Sequence, residues 1–455
     1  MKFKKFGKAL LMSALSAGVV LSVTSCIQNY SVGYLYVTGT VTAGTSGNGI
    51  ISGFKIDHNT GFLTPINGLP VSSGGANPVR AILIDGSRFL YVLNRGVSTN
   101  PAGSSICTTA YPCQNSNITQ FEVGANGILT AQETFATQGV NPFRIISDST
   151  GNYIYVLDHD SPDNYNQSSK DGCALALGGV VQTCGDITAF QVNQTTGRLS
   201  LVVNNQVTST LGGGSSSLTY FPVPANPIDF LTTGASVYVL SGTPATGDSV
   251  FPYAYSPTNG QLTVSQNSSQ PLNITQGTAI VYGSGYIYVL DNEPITVNGV
   301  VASQSQILPF TPISNGGLQA AVSGPIPDDA NQSNPIFLTV ENKGRWFYVA
   351  NQGNPSTPTL PLSGISGYVI NSPFQPAEIA GTPINFGTGG GPQCLVEDPS
   401  NQFFYTANAY DSSVSGQQIN EQGGNLTPLS QTSKAPDQYS LTGPPTWCLV
   451  DGRIG

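Results

Sequence analysis

Tyr153-Ile154-Tyr155-Val156-Leu157-Asp158 is a strand in which aromatic and branched residues leave no room for a polar face until the final acid. The same unit recurs along the chain. It appears as Tyr34-Leu35-Tyr36-Val37, Phe89-Leu90-Tyr91-Val92-Leu93-Asn94 and Val237-Tyr238-Val239-Leu240, then as Tyr286-Ile287-Tyr288-Val289-Leu290-Asp291, Trp346-Phe347-Tyr348-Val349-Ala350-Asn351 and Phe403-Phe404-Tyr405-Thr406-Ala407-Asn408. Seven copies at spacings from 50 residues (Tyr238 to Tyr288) to 83 (Tyr155 to Tyr238) mark a repeat whose loops vary while its core unit persists.

Each copy keeps the same company. An apolar strand opened by proline precedes it, as in Asn77-Pro78-Val79-Arg80, Asn141-Pro142-Phe143-Arg144 and Asn226-Pro227-Ile228-Asp229. Proline fits there because the first residue of a strand needs no ladder donor. An alternating strand follows, such as Ile187-Thr188-Ala189-Phe190-Gln191-Val192, then a turn such as Asn126-Gly127, Thr196-Gly197 or Asn259-Gly260, then a last short strand. Four antiparallel strands in each of seven units, without helical periodicity, predict an all-β seven-bladed β-propeller. One such sheet buries too little to stand alone, so the aromatic strands must form the packing between units. The ends agree. Tyr34 opens a unit that lacks an innermost strand, and Pro445-Thr446-Trp447-Cys448-Leu449-Val450-Asp451 is an innermost strand with nothing after it. The ring is expected to close with one C-terminal and three N-terminal strands, which leaves no open sheet edge.

Residues 1–25 read as a lipoprotein signal peptide. Lys2, Lys4, Lys5 and Lys8 precede an apolar stretch too short to span a bilayer comfortably, and Val23-Thr24-Ser25-Cys26 resembles a lipobox, with Cys26 the lipidated residue. Residues 26–33 would be the tether and 34–455 a single propeller domain. Ile27, rather than Asp, after the cysteine favours the outer membrane, on its periplasmic or surface side, with the acyl group as the only membrane contact. Residues 1–25 hold four lysines and no acid, so the remainder carries 11 basic against 24 acidic side chains, a net charge of −13. Such a chain repels nucleic acid and anionic lipid. Six further cysteines suit an oxidising compartment. Cys107–Cys113 and Cys173–Cys184 are the expected disulfides, and a Cys394–Cys448 bond stays open, because equivalent places on neighbouring innermost strands would have Cβ vectors that do not meet.

The Tyr-Val-Leu/Ala-Asn/Asp strand, with its Asn-Pro strand before and its Gly-containing turn after, resembles the seven-bladed lactonase-like propellers. These are the relatives of bacterial 6-phosphogluconolactonase and of the Tyr-Val-Thr-Asn repeat proteins. The resemblance runs over the whole stretch after the tether and implies a lactonase fold. Members named as lactonases tend to carry an Arg-His pair on an innermost strand and an acid just past an aromatic strand. Here Arg80 precedes Ala81 and Arg144 precedes Ile145, and Glu293 is the nearest match to the acid.

Strand order places every long insertion (95–117, 159–185, 206–225, 292–305, 352–363 and 433–444) at one end of the ring, which makes that end the expected binding surface. Arg80 and Arg144 open adjacent innermost strands, with Asp229 one blade on. They would either polarise a carbonyl, with His159 or Glu293 as base, or form an ion pair between blades. Asp158, Asp160 and Asp163 around His159 are candidate oxygen ligands for a divalent cation, or else part of a solvated loop; no other cofactor is implied. His58 sits in a turn at the opposite, bare end. The expected protein is a monomer that binds a ligand or an envelope protein through its insertion face. A lactone hydrolase acting on an unphosphorylated sugar lactone is the alternative.

Overall fold

A computed structural model describes residues 30–41, 48–84, 88–101, 107–165, 173, 183–209, 216–234, 236–242, 247–264, 270–354, 363–371, 374–387, 390–431 and 437–452. The expected signal peptide, Cys26 and half of the expected tether (26–29) lie outside these residues, and residues 31–33 belong to the first strand, Ser31–Thr40, rather than to a tether.

Seven sheets follow one another around a ring. Blade 2 runs outward from Pro78–Leu83 through Phe89–Asn94 and Asn117–Val123 to Leu129–Phe135, and blade 3 from Val140–Ser147 through Tyr153–Asp160 and Gly185–Val192 to Leu199–Leu201. Blades 4 to 7 repeat the order from Pro227–Thr232, Gly277–Gly283, Pro335–Val340 and Pro392–Glu397. Blade 1 is composite. Its outer three strands come from the N-terminal end, and its innermost strand is Pro445–Asp451, paired antiparallel with Ser31–Thr40 in the register Tyr34↔Asp451, Val37↔Cys448 and Thr38↔Trp447. The expected closure is met. The outermost strand is less regular than expected: in six blades it breaks into two pieces, both pairing with the third strand, as Leu63–Pro65 and Val71–Ala76 do in blade 1.

The repeated tyrosine does more than fill space. Tyr36, Tyr91, Tyr155, Tyr348 and Tyr405 are each buried and donate their hydroxyl to the carbonyl of the turn glycine in the next blade: Gly127, Gly197, Gly260, Gly424 and Gly61. Burial of a phenol requires such an acceptor. The glycine is required twice over. Gly127 has φ +80°, and a Cβ there would lie 2.5 Å from the ring of Tyr34, the aromatic two residues before Tyr36. A clasp of ring on glycine and hydroxyl on carbonyl thus joins five of the seven blade junctions. The other two differ. Blade 4 has Ser236 in place of the first aromatic, and Tyr238 shares a hydrogen bond with that serine. Blade 6 offers Phe374 instead of a turn glycine, stacked on Tyr286 at 4.0 Å, and the Tyr288 hydroxyl has no partner.

Three disulfides form: Cys107–Cys113, Cys173–Cys184 and Cys394–Cys448. The third corrects the argument from equivalent positions. Cys394 pairs with Ala407, two residues past Tyr405, whereas Cys448 pairs with Val37, one residue past Tyr36. The closing strand is offset by one residue from the sequence alignment, and in a strand one residue reverses the side-chain direction. Trp447, not Cys448, is the counterpart of Cys394, so the two thiols face each other between blades 7 and 1, with Cα atoms 5.8 Å apart.

Candidate functional site

The innermost strands bring Arg80, Arg144 and Asp229 together, as their matching places in blades 2, 3 and 4 require. Asp229 is buried at the centre. Its Oδ1 accepts from Arg144 Nε at 3.0 Å and lies 3.4 Å from Arg80 Nη1, and its Oδ2 accepts from the Ile280 backbone N–H at 3.2 Å. The Arg80 guanidinium stacks over Trp447, 4.2 Å from the ring centroid, and Trp447 meets Phe337 edge-on at 5.0 Å. Burial, offset by Asp229 and reinforced by Arg144, lowers the Arg80 pKa to about 10, which leaves it cationic at neutral pH. The ion-pair alternative for the two arginines is therefore realised: a carboxylate held by three donors ties blades 2, 3, 4 and 5.

Asp160 organises the insertion face beside this group. It accepts from Thr109 Oγ1 at 2.7 Å, Asn141 Nδ2 at 2.7 Å and Asn164 Nδ2 at 3.2 Å, and meets His159 Nδ1 at 3.1 Å. Burial pushes its pKa up, but the bonds from His159, Thr109 and Asn141 outweigh this and hold the carboxyl below its usual range. Asn141 Oδ1 in turn accepts from the Cys113 N–H at 2.7 Å, so one carboxylate and one amide fasten the disulfide loops of blades 2 and 3 to an innermost strand. His159 is partly exposed, with its ring edge-on to Phe143. Arg95 lies close enough to Arg144 and Asp160 for each to act on its charge; burial and Arg144 lower its pKa, against Asp160.

Asp158 takes another route. It is fully buried opposite Asp186, which is equally buried, in direct cross-strand register. Burial raises the Asp158 pKa to about 8, against hydrogen bonds from Thr188, Asp186, Thr137 and the Gly139 backbone. At neutral pH Asp158 therefore keeps its proton, and Asp186 is within hydrogen-bonding reach of it. The sequence reading had Asp158 but missed Asp186, although Asp186 opens the strand after the blade 3 insertion, where blades 2 and 5 carry Asn117 and Gln306. The side chain of Asp163 lies outside the described residues, and among those residues no group of three His, Cys, Asp or Glu side chains is arranged to hold a metal ion. Glu293, partly exposed past the blade 5 aromatic strand, makes no hydrogen bond to Arg80, Arg144 or His159. His58 stacks on Tyr30 at 4.6 Å on the bare face.

A cavity of about 360 Å³ occupies the channel on the other side of the arginines. Its lining descends the innermost strands from Arg80, Asp229, Phe337 and Trp447 to Ser147, Thr232 and Tyr282, at the tight turns. It opens on the bare face, not on the insertion face where the sequence placed the binding surface.

The family model described as "Lactonase, 7-bladed beta-propeller" matches residues 47–164. No curated protein matches the chain. Among solved structures, the periplasmic gluconolactonase of Pseudomonas aeruginosa superposes with a TM-score of 0.61 at 16% identity, covering 92% of this chain and 99% of that one. A candidate 6-phosphogluconolactonase of Bacteroides uniformis gives 0.60 at 13% identity (92% and 99% covered), and one of Bacteroides fragilis 0.59 at 13% (92% and 98% covered). The chain is a seven-bladed propeller that resembles the lactonase family in sequence over residues 47–164 and in fold over nearly all its length.

Proposed function

We propose that this is an exported, lipid-anchored propeller of the cell envelope that binds a ligand or an envelope protein through its insertion face. The observation that carries this reading is that Arg80, Arg144 and His159 are already engaged, while Glu293 stands apart from all three. Arg80 and Arg144 are bound to Asp229, and His159 is bound to Asp160, so among the described residues neither the arginine pair nor the imidazole is held ready for a substrate carbonyl. Three disulfides support an oxidising compartment. Tyr30 emerges beside His58 on the bare face, and the four steps back to Cys26 reach about 14 Å at most. A lipid on Cys26 would turn the bare face toward the membrane and hold the insertions away from it.

Lactone hydrolysis is the second reading, favoured by the family match and by the names of the structural neighbours. The deciding assay offers a panel of unphosphorylated sugar lactones to the purified protein. Hydrolysis at the buffer rate is expected. A rate above it that disappears in Arg80→Ala, Arg144→Ala and His159→Ala would establish the enzyme instead. Retention in the membrane fraction, lost in Cys26→Ser, tests the anchor.

A further inference from the structure

We infer that the bare-face end of the central channel is a binding pocket for a small organic monocarboxylate with an aromatic or branched apolar body. The pocket has one charged end. Asp229 directs its oxygens to Arg144 and the Ile280 N–H, while Arg80 approaches it only at 3.4 Å through Nη1. The Arg80 Nε is buried without a partner, and the guanidinium carbon sits 4.2 Å over the Trp447 ring centroid, both residues lining the cavity floor. Two guanidiniums against one carboxylate leave a single positive charge in excess, although the whole chain carries −9. One negative charge on the ligand balances the floor; a phosphate dianion exceeds it.

The walls exclude other classes. Ile82, Ile146, Leu231, Val281 and Phe337 surround the space between the charged floor of Arg80 and Asp229 and a mouth that carries Ser147, Thr232 and Tyr282. A sugar would leave most of its hydroxyls unpaired there, whereas a phenyl or branched alkyl group fits about 360 Å³. Tyr282, half exposed at the rim, lines both this cavity and a groove of about 560 Å³ between blades 5 and 6, and gives the body of the acid a flat surface to enter along. This pocket lies at the opposite end of the channel from the insertion face, so it stands or falls apart from the function proposed above.

Calorimetric titration of the protein with 3-phenylpropionate, and with the neutral 3-phenylpropanamide, tests the assignment. Saturable binding of the acid is expected, about tenfold or more tighter than the amide, because only the acid forms a charge-assisted bond to Arg80. Arg80→Gln should weaken the acid by a similar factor. Ser147→Trp closes the mouth without touching the ion group and should abolish binding, which keeps the test valid if Arg80→Gln fails to fold. Equal binding of acid and amide, unchanged affinity in Ser147→Trp, or no saturable heat with the acid would each overturn the pocket. None of these results would alter the lactone assay.

Discussion

At the cross-strand pair Asp158–Asp186 two acids stand where blade 2 has Asn94 opposite Asn117, blade 5 has Asp291 opposite Gln306 and blade 7 has Asn408 opposite Ser413. In each of those blades an amide supplies a donor across the pair; in blade 3 neither side chain has one unless a carboxyl is protonated, although Thr188 Oγ1 also donates to Asp158 at 3.2 Å. With the Asp158 pKa raised from about 3.8 in the unfolded chain to about 8 when folded, the unfolded state is ionised across that interval while the folded state keeps the proton. The contribution of this group is full below about pH 4, falls as pH rises through about 8, and is flat above. Urea midpoints at pH 5, 7 and 9 should therefore decline in that order, after allowance for the remaining acids. Asp186→Asn, which restores the amide, should remove most of the decline and raise stability at pH 9 by about 2 kcal/mol. A pH profile unchanged by the substitution would show that the pair does not hold the proton. The same residue-level view explains Asn-Pro: Asn77, Asn141, Asn226 and Asn334 all adopt φ between 52° and 61°, a left-handed geometry that asparagine tolerates better than most residues. Three of their amides reach the segment after the aromatic strand, as Asn77 Nδ2 does to the Gly96 carbonyl at 2.7 Å.

Among the elements, the clasp between aromatic strand and following turn makes the blade junctions testable one at a time. Tyr155→Phe removes a single buried hydrogen bond to Gly260 and should cost about 1 kcal/mol. Gly260→Ala, at φ +71° with a Cβ 2.4 Å from the Tyr153 ring, should cost about 2–4 kcal/mol, measured as a shift of the unfolding midpoint. If the two costs were equal, the glycine would be serving only as a carbonyl. The closing strand offers a third test. Cys448→Ser should lose about 2–4 kcal/mol in oxidising buffer, because the bond spans 54 residues across the ring seam. That bond also marks where sequence reading stopped. The aromatic repeat, the Asn-Pro openings and the turn glycines were legible because each recurs within a few residues of its neighbours. The register of the closing strand was misread because Cys448-Leu449-Val450 repeats Cys394-Leu395-Val396 letter for letter, whereas the opening prolines, which align Pro445-Thr446-Trp447 with Pro392-Gln393-Cys394, carry the true register.

For the whole molecule, the ring depends on its last strand. Truncation after residue 444 removes the innermost strand of blade 1, the Trp447 platform beneath Arg80 and one half of a disulfide, and it bares the edge of Ser31–Thr40. The shortened chain should lose its near-ultraviolet circular dichroism and associate on a sizing column; a sharp monomeric peak with native dichroism would show that six complete blades suffice. The candidate site belongs to this scale too: its members and their ion pair between blades were legible from matching strand positions, whereas the end at which the channel opens was not. Arg80 and Asp229 are 149 residues apart and meet only across the channel. Which end of that channel opens depends on how Phe337 and Trp447, from two further blades, fill the floor. The clasp has a last bearing, on modular growth. A blade such as the second bears the hydroxyl half, Tyr91, on one flank and the carbonyl half, Gly127, on the other. Spliced in twice, it would mate with its own duplicate as it now mates with its neighbours. A duplicate of blade 6 would not, since its turn carries Phe374 where the Tyr348 hydroxyl of the preceding copy would seek a glycine.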